Sequence, residues 1–104
     1  MSRIDIFKQM LESDPSNSTI LFGLAKEYEK AEAMPEMIEA LKRYLAAADD
    51  QGNAYGMLAR AYEKSGQRDD ARAAYEMGIK AASSHGHPGM AEEYRGILAS
   101  DYED

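Results

Sequence analysis

The feature that most constrains the fold is a pattern of apolar residues that predicts two helices joined by a tight turn. Its first half has the i, i+3, i+4, i+7 spacing of one helix face: Tyr55, Leu58, Ala59 and Tyr62. Gly66 follows, and glycine readily takes the left-handed conformation that ends a helix. A second periodic run begins behind two carboxylates, Asp69 and Asp70, which suit the positive end of a new helix. That run contains Ala71, Ala74, Tyr75 and Ile79.

The same pattern occurs 34 residues upstream. The matching positions there are all apolar: Leu21, Leu24, Ala25, Tyr28, Met37 and Leu41. The columns of the second helix continue one period further upstream, to Phe7 and Leu11. Helix pairs of this kind cannot bury their apolar faces alone, so we expect them to stack on one another.

This spacing resembles the tetratricopeptide repeat, with Tyr55 in the tryptophan column and Ala59 in the first glycine column. Pro15 lies eight residues after Phe7, where that family places its closing proline. The chain departs from the family pattern at three positions. Repeat one has Glu32 where repeat two has Gly66, and the two repeats have Asp49 and Ser83 where the family has proline. These differences leave the turn geometry open. The resemblance implies an all-α fold, a right-handed superhelix of antiparallel helix pairs with six helices.

We expect residues 1–104 to form a single domain of this type. Its predicted parts are an N-terminal capping helix (1–13), repeat one (17–50), repeat two (51–84) and a C-terminal capping helix of shifted register (88–102). The segment Ser83–Pro88 between the last two parts is predicted to be an irregular loop.

Several aromatic and sulfur-containing side chains have a predicted environment. By column, the core is expected to contain Met10, Tyr28, Met37, Tyr55, Tyr62 and Tyr75. Three tyrosines are expected to be partly exposed: Tyr44, Tyr94 and Tyr102.

Charge and composition narrow the classes of partner. The formal net charge is -7, which disfavours nucleic acid and anionic membranes, because both attract basic surfaces. The absence of cysteine excludes disulfides. No apolar run approaches the ~20 residues of a membrane span, and Met1 to Ser13 lacks the apolar centre of a signal peptide. We therefore expect a cytoplasmic protein.

The sequence gives little support for catalysis, a metal or a cofactor. His85 and His87 lie in the predicted loop, where Glu92 or Glu93 could complete a metal site, but two imidazoles without a fixed third ligand form a weak one. Ser83 has no oriented base, and no glycine-rich turn is present to hold phosphate. We predict a non-enzymatic protein without cofactors.

The resemblance implies that the first helices of successive repeats line a concave groove that receives a peptide or helix. A helix turns by about 100° per residue, so the side chains on the face opposite the core can be identified, and we expect these to be the contacts in the groove. They are Thr19, Phe22, Lys26, Lys30, Asn53, Met57, Arg60 and Lys64. We expect the four cations to orient an acidic segment and Phe22 and Met57 to contact its apolar side chains. In the alternative interpretation, the face is simply solvated and Glu29 and Glu63 neutralise the neighbouring cations.

A second hypothesis is a self-assembling structural module. Short solenoids expose apolar ends, so the capping helix 88–102 could pair with a copy of itself in a homodimer. The acidic tail, Asp101 to Asp104, could also occupy the basic face of its own or another chain.

Overall fold

The computed structural model describes residues Met1–Glu103, and these form six α-helices and no strand. The helices are α1 (Arg3–Ser13), α2 (Ser18–Lys30), α3 (Met34–Ala47), α4 (Asn53–Lys64), α5 (Arg68–Ser84) and α6 (Pro88–Asp101). The predicted all-α fold class with six helices is confirmed. Asp104, the last residue of the predicted acidic tail, lies outside the described residues.

The chain divides into two compact units. The first, Met1–Asp49, contains α1 to α3, and the second, which begins at Asp50, contains α4 to α6. Within each unit, helices that are consecutive in the chain pack on each other. Connections of only three or four residues join them, so each packed pair must run antiparallel. The assignment of residues 1–104 to a single domain with two repeats and two caps stays a prediction.

Three of the connections have the same geometry. Each has one residue with a left-handed backbone: Glu32 with φ 56°, Gly66 with φ 73° and Gly86 with φ 76°. The N–H of the following residue donates to a carbonyl five positions back, from Ala33 to Tyr28 at 3.0 Å and from Gln67 to Tyr62 at 2.9 Å. These are Schellman turns, which satisfy the last carbonyls of a helix. Glu32 therefore adopts the turn of Gly66 despite its side chain.

The third of these turns corrects the predicted loop at Ser83–Pro88. Helix α5 continues through Ser84, and α6 already begins at Pro88, so only residues 85–87 are non-helical. The N–H of His87 donates to the carbonyl of Ala82 at 2.8 Å, which closes the turn. Proline is well suited to the first turn of a helix because its missing N–H has no partner to lose there.

Buried apolar residues form a core in each unit. In the first unit the core contains Leu11, Leu21, Leu24, Ala25, Met37, Ile38, Ala40 and Leu41. In the second it contains small residues, Met57, Leu58 and three tyrosines: Tyr75, Tyr94 and Tyr102. Tyr28, Tyr55 and Tyr62 are half-buried rather than buried. Met10, expected in the core, is 45% exposed because Leu11 beside it points inward from α1 instead.

Tyr94 attaches α6 to the rest of the second unit. Its hydroxyl donates to the carbonyl of Gly52 at 3.0 Å, and burial raises its pKa. A methyl group at Gly56 would come within 2.4 Å of the Tyr94 hydroxyl oxygen, and one at Gly78 within 2.8 Å of its ring. The two glycines therefore form a slot for the ring. The expectation that Tyr94 is partly exposed is wrong, because a glycine leaves space for a neighbour that the periodicity of apolar residues does not reveal.

The shared turn geometry predicts that Glu32→Gly stabilises the protein. A residue with a side chain is strained in the left-handed region and glycine is not, so we expect a gain of about 1 kcal/mol in the free energy of unfolding. Urea denaturation monitored by circular dichroism measures it. Gly66→Ala is the matched control and should lose a similar amount, since its new methyl group would contact nothing within 4 Å. A Glu32→Gly variant less stable than the original chain would contradict this assignment.

Candidate functional site

The two lysines among the predicted contacts on α2 are already paired with carboxylates of the same helix. Lys26 Nζ lies 3.5 Å from Glu29 Oε1, and Lys30 Nζ lies 3.2 Å from Glu27 Oε2. Glu27 Oε1 also lies 3.8 Å from the Nε of Arg3 on α1. Such pairs at the surface contribute little and exchange readily with another carboxylate. The alternative interpretation was therefore correct for Glu29, although both lysines remain exposed.

Phe22 is less available than expected. It is half-buried, and its ring packs on that of Tyr44 on α3 with the centroids 5.1 Å apart. The sequence places Phe22 beside the outer face of α2, but the antiparallel α3 lies close enough on that side to cover part of the ring. Thr19, about one turn before Phe22 and two turns before Lys26, is exposed.

On α4, three of the four predicted contacts are exposed: Asn53, Arg60 and Lys64. Met57 is not, since only 5% of it is exposed, so its predicted role as an apolar contact for a partner is wrong. The prediction assumed that α4 is covered on one face. Its buried residues instead surround much of the helix: Ala54, Gly56, Met57, Leu58, Ala59 and Ala61.

The eight predicted contacts fall into two sets of four. Thr19, Phe22, Lys26 and Lys30 share α2 in the first unit, whereas Asn53, Met57, Arg60 and Lys64 share α4 in the second. Each helix brings its own exposed members to one face, because they recur at helical spacing. The joint groove formed by both sets stays a prediction.

The second unit also contains a polar cluster that the sequence analysis missed. Glu63, on α4, accepts two tyrosine hydroxyls: Oε1 from Tyr75 at 3.2 Å and Oε2 from Tyr102 at 2.6 Å. Both tyrosines are almost fully buried, at 2% and 6% exposure. Glu63 therefore binds phenols, which differs from its expected part in neutralising the basic face.

Two arginines of α5 hold the main chain and ring of Tyr102. Arg68 lies over the ring, with Cζ 4.6 Å from its centroid, and its Nη1 donates to the carbonyl of Asp101 at 2.9 Å. Arg72 Nη2 donates to the carbonyl of Tyr102. The Tyr75 ring meets that of Tyr102 edge-on, with centroids 6.0 Å apart. We call the four surrounding residues, Glu63, Arg68, Arg72 and Tyr75, the Tyr102 slot.

The slot corrects the expectation that Tyr102 is partly exposed. Helix α6 ends at Asp101, so Tyr102 follows the last helical residue and belongs to no periodic pattern. One signal was present: Arg68 and Arg72 are spaced by one helical turn and share a face of α5. That spacing indicates an acceptor nearby, but it does not identify which part of the chain supplies it.

The environment of the slot keeps its tyrosines protonated. Burial, reinforced by the charge of Glu63 and the hydrogen bond to it, raises the pKa of Tyr75 from 10.0 to about 12. Burial and the hydrogen bond to Glu63 also raise the pKa of Tyr102 well above its ordinary value. Both hydroxyls therefore stay neutral donors at physiological pH.

A separate depression lies within the first unit, among α1, α2 and α3. It has a volume of about 410 Å³ and is lined by Lys8, Leu11, Glu12, Leu24, Tyr28, Glu36, Glu39, Ala40 and Arg43. Its floor is apolar, but its rim combines three carboxylates with two cations. That mixture selects neither an anionic nor a cationic ligand.

The two histidines of the last turn are engaged in hydrogen bonds. His85 Nδ1 lies 2.8 Å from the carbonyl oxygen of Ala81, and His87 Nε2 lies 2.6 Å from Gln51 Oε1. Among residues 1–103, no group of three histidine, aspartate or glutamate side chains is arranged to hold a metal ion. No helix in the same range has the length and apolar character needed to cross a bilayer.

Comparison with known proteins supports the fold. No family model matches the sequence, and no curated protein matches it. The crystal structure of MamA, a tetratricopeptide-containing protein, is similar to the chain with a TM-score of 0.53 and 22% sequence identity. The alignment covers 88% of this chain and 81% of that one. The likeness shows a helical fold of the tetratricopeptide type.

The slot tyrosines predict a loss of stability at alkaline pH. Because the folded-state pKa of Tyr75 is about 12 and the unfolded value is 10.0, its contribution is complete below pH 10 and is lost as the pH rises toward 12. Urea midpoints measured between pH 8 and pH 12 should therefore fall less in Tyr75→Phe than in the original chain. Tyr55→Phe, at a half-buried tyrosine outside the slot, is the control and should follow the original chain. Parallel curves for all three proteins would contradict the prediction.

Proposed function

We propose that this protein is a non-enzymatic interaction module that binds an acidic segment of a partner protein through exposed cations of α2 and α4. The supporting observation is the repetition of charge: Lys26 and Lys30 recur 34 residues later as Arg60 and Lys64. All four are exposed, in a chain whose net charge is -7. Thr19 and Asn53 are exposed about two turns before Lys26 and Arg60, and they complete the proposed contacts. Met57 is not part of the site, because it is buried.

The chemistry of these side chains favours carboxylates. An arginine binds a carboxylate through two parallel hydrogen bonds, whereas a lysine acts as a point charge on a flexible stem. The surface ion pairs of Lys26 and Lys30 are weak enough for a partner carboxylate to replace Glu29 or Glu27. Phe22, which is half-buried, offers part of its ring for an apolar contact. Specificity would then come from charge and a small aromatic surface.

The fold likeness to a tetratricopeptide-containing protein supports an interaction module in general terms. The net charge supports a protein partner over nucleic acid or an anionic membrane surface. We extend the proposal to a cytoplasmic location and to function without a cofactor. The site then acts by binding alone.

Charge reversal tests the proposed site. A peptide selected from a random displayed library against the original chain should be rich in Asp and Glu. Its affinity should fall by about tenfold or more in Lys26→Glu with Arg60→Glu, because two attractive contacts become repulsive. Lys42→Glu with Lys80→Glu, at exposed cations of α3 and α5, changes the net charge equally and should alter binding by less than about twofold. Equal losses in both double variants, or selected peptides without acidic residues, would contradict the proposal.

A second candidate function is self-association, and one observation favours it. Ile6 and Met10 are spaced by one turn on α1 and are 43% and 45% exposed. In α6, by contrast, Ala91 and Tyr94 are buried. We therefore place the proposed association on α1, and pairing through the predicted capping helix 88–102 stays a prediction.

Light scattering after size exclusion tests this candidate. A homodimer at micromolar concentration that becomes monomeric in Ile6→Glu with Met10→Glu would support association through α1, because burying two charges in an apolar contact is costly. Gln9→Glu, at an exposed polar position of α1, is the control and should leave the dimer unchanged. A monomer at all concentrations would exclude self-association under those conditions.

A further inference from the structure

The contacts of Tyr102, which follows the last residue of α6 with φ −120° and ψ 4°, are of the kind that recognise a tyrosine residue of a separate segment. Glu63 accepts its hydroxyl, Tyr75 and Arg68 contact its ring, and Arg72 binds its carbonyl. Arg68 binds the preceding carbonyl, that of Asp101. The N–H of Tyr102 also donates to the carbonyl of Leu98 in the last turn of α6. The other contacts do not depend on the tyrosine being part of the same chain.

We propose that the Tyr102 slot is a binding site for a tyrosine flanked by acidic residues, and that Tyr102 occupies it as an intramolecular ligand. A partner segment of the same chemistry would enter when Tyr102 leaves. None of the four slot residues is among the cations of α2 and α4, so the inference does not rest on the function proposed above.

The geometry specifies the ligand in two respects. A phenylalanine would leave the Glu63 carboxylate without its 2.6 Å partner, so the slot selects a phenol. A phosphotyrosine would bring its phosphate against that same carboxylate, so the slot rejects the phosphorylated form. The two arginines favour carboxylates beside the tyrosine, as Asp101 and Glu103 are beside Tyr102.

Space for the neighbouring residues of a ligand is present next to the ring. A cavity of about 280 Å³ adjoins it and is lined by Glu63, Gly66, Arg68, Asp101 and Tyr102. Gly66 has no side chain to narrow it, and a methyl group there would meet nothing within 4 Å. A ligand residue beside the tyrosine can therefore pass this end of α4 without a clash.

A peptide supplied in trans tests the proposal on the full chain. The probe is a fluorescein-labelled, end-capped peptide with the sequence of residues 99–103, and the protein is Tyr102→Ala, which vacates the slot. Fluorescence anisotropy should show binding to Tyr102→Ala at least about tenfold tighter than to the original chain, where the internal tyrosine competes. The same peptide with phenylalanine should bind about tenfold more weakly, and the phosphotyrosine peptide should not bind.

Further variants separate this site from the other one. Glu63→Ala in the Tyr102→Ala background should abolish the preference for tyrosine over phenylalanine. Lys26→Glu with Lys30→Glu in that background should leave the ratio of tyrosine-peptide to phenylalanine-peptide affinity unchanged, since both lysines lie on α2 and neither contacts the phenol. Equal binding to Tyr102→Ala and to the original chain, or equal binding of the tyrosine and phenylalanine peptides, would overturn the proposal.

A second measurement applies if Tyr102→Ala fails to fold. The Tyr102 amide, which donates to the Leu98 carbonyl, should exchange its hydrogen several-fold faster in Arg72→Ala than in the original chain, with the urea midpoint nearly unchanged, because only the segment around Tyr102 is released. Lys80→Ala, at an exposed cation elsewhere on α5, is the control and should exchange the Tyr102 amide at the original rate. Identical rates in all three proteins, or a rate in Arg72→Ala that follows global unfolding, would show that the segment is not a separable ligand.

Discussion

The fold depends on three-residue turns closed by one residue with a left-handed backbone. Each turn reverses the chain so tightly that the next helix must lie against the previous one, which places their apolar stripes in contact. Burial of leucine, alanine and methionine side chains then provides most of the stability, since a chain without cysteine has no disulfide. Propensity alone would leave helices of 11 to 17 residues marginal in water.

The periodicity of the sequence was enough to predict the helices but not all of their surroundings. Apolar spacing of 3.6 residues identified the inward faces of α2 and α3, and buried Leu21 and Leu41 confirm them. Spacing reports only the helix that carries it, so it did not predict Phe22 against Tyr44 or Met57 in a helix covered on several sides. Those contacts depend on the size of the side chain on the neighbouring helix. Gly56 and Gly78 show that the absence of a side chain can decide whether a ring from another helix fits.

The two charged surfaces of the molecule differ in how firmly their partners are held. The cations of α2 pair with partly exposed carboxylates of their own helix, and because the lysine side chains are 49% and 69% exposed, water and salt compete for these contacts. Glu63, in contrast, binds two nearly buried phenols, and the same burial raises their pKa values. Loosely held charge suits reversible capture of a partner, whereas the tyrosine cluster suits selection by shape and hydrogen bonding.

The packing of the Tyr94 ring means that the helix pair α2–α3 cannot replace the helix pair α4–α5. Gly56 and Gly78, which admit its ring, correspond at the 34-residue period to Phe22 and Tyr44. In the first unit those two aromatic rings pack on each other, so they fill with their own atoms the space that the glycines leave empty. If the α2–α3 pair were duplicated in a longer array, a following helix like α6 would find no space for its tyrosine ring. Duplicating the α4–α5 pair would reproduce the two glycines and the space that they leave.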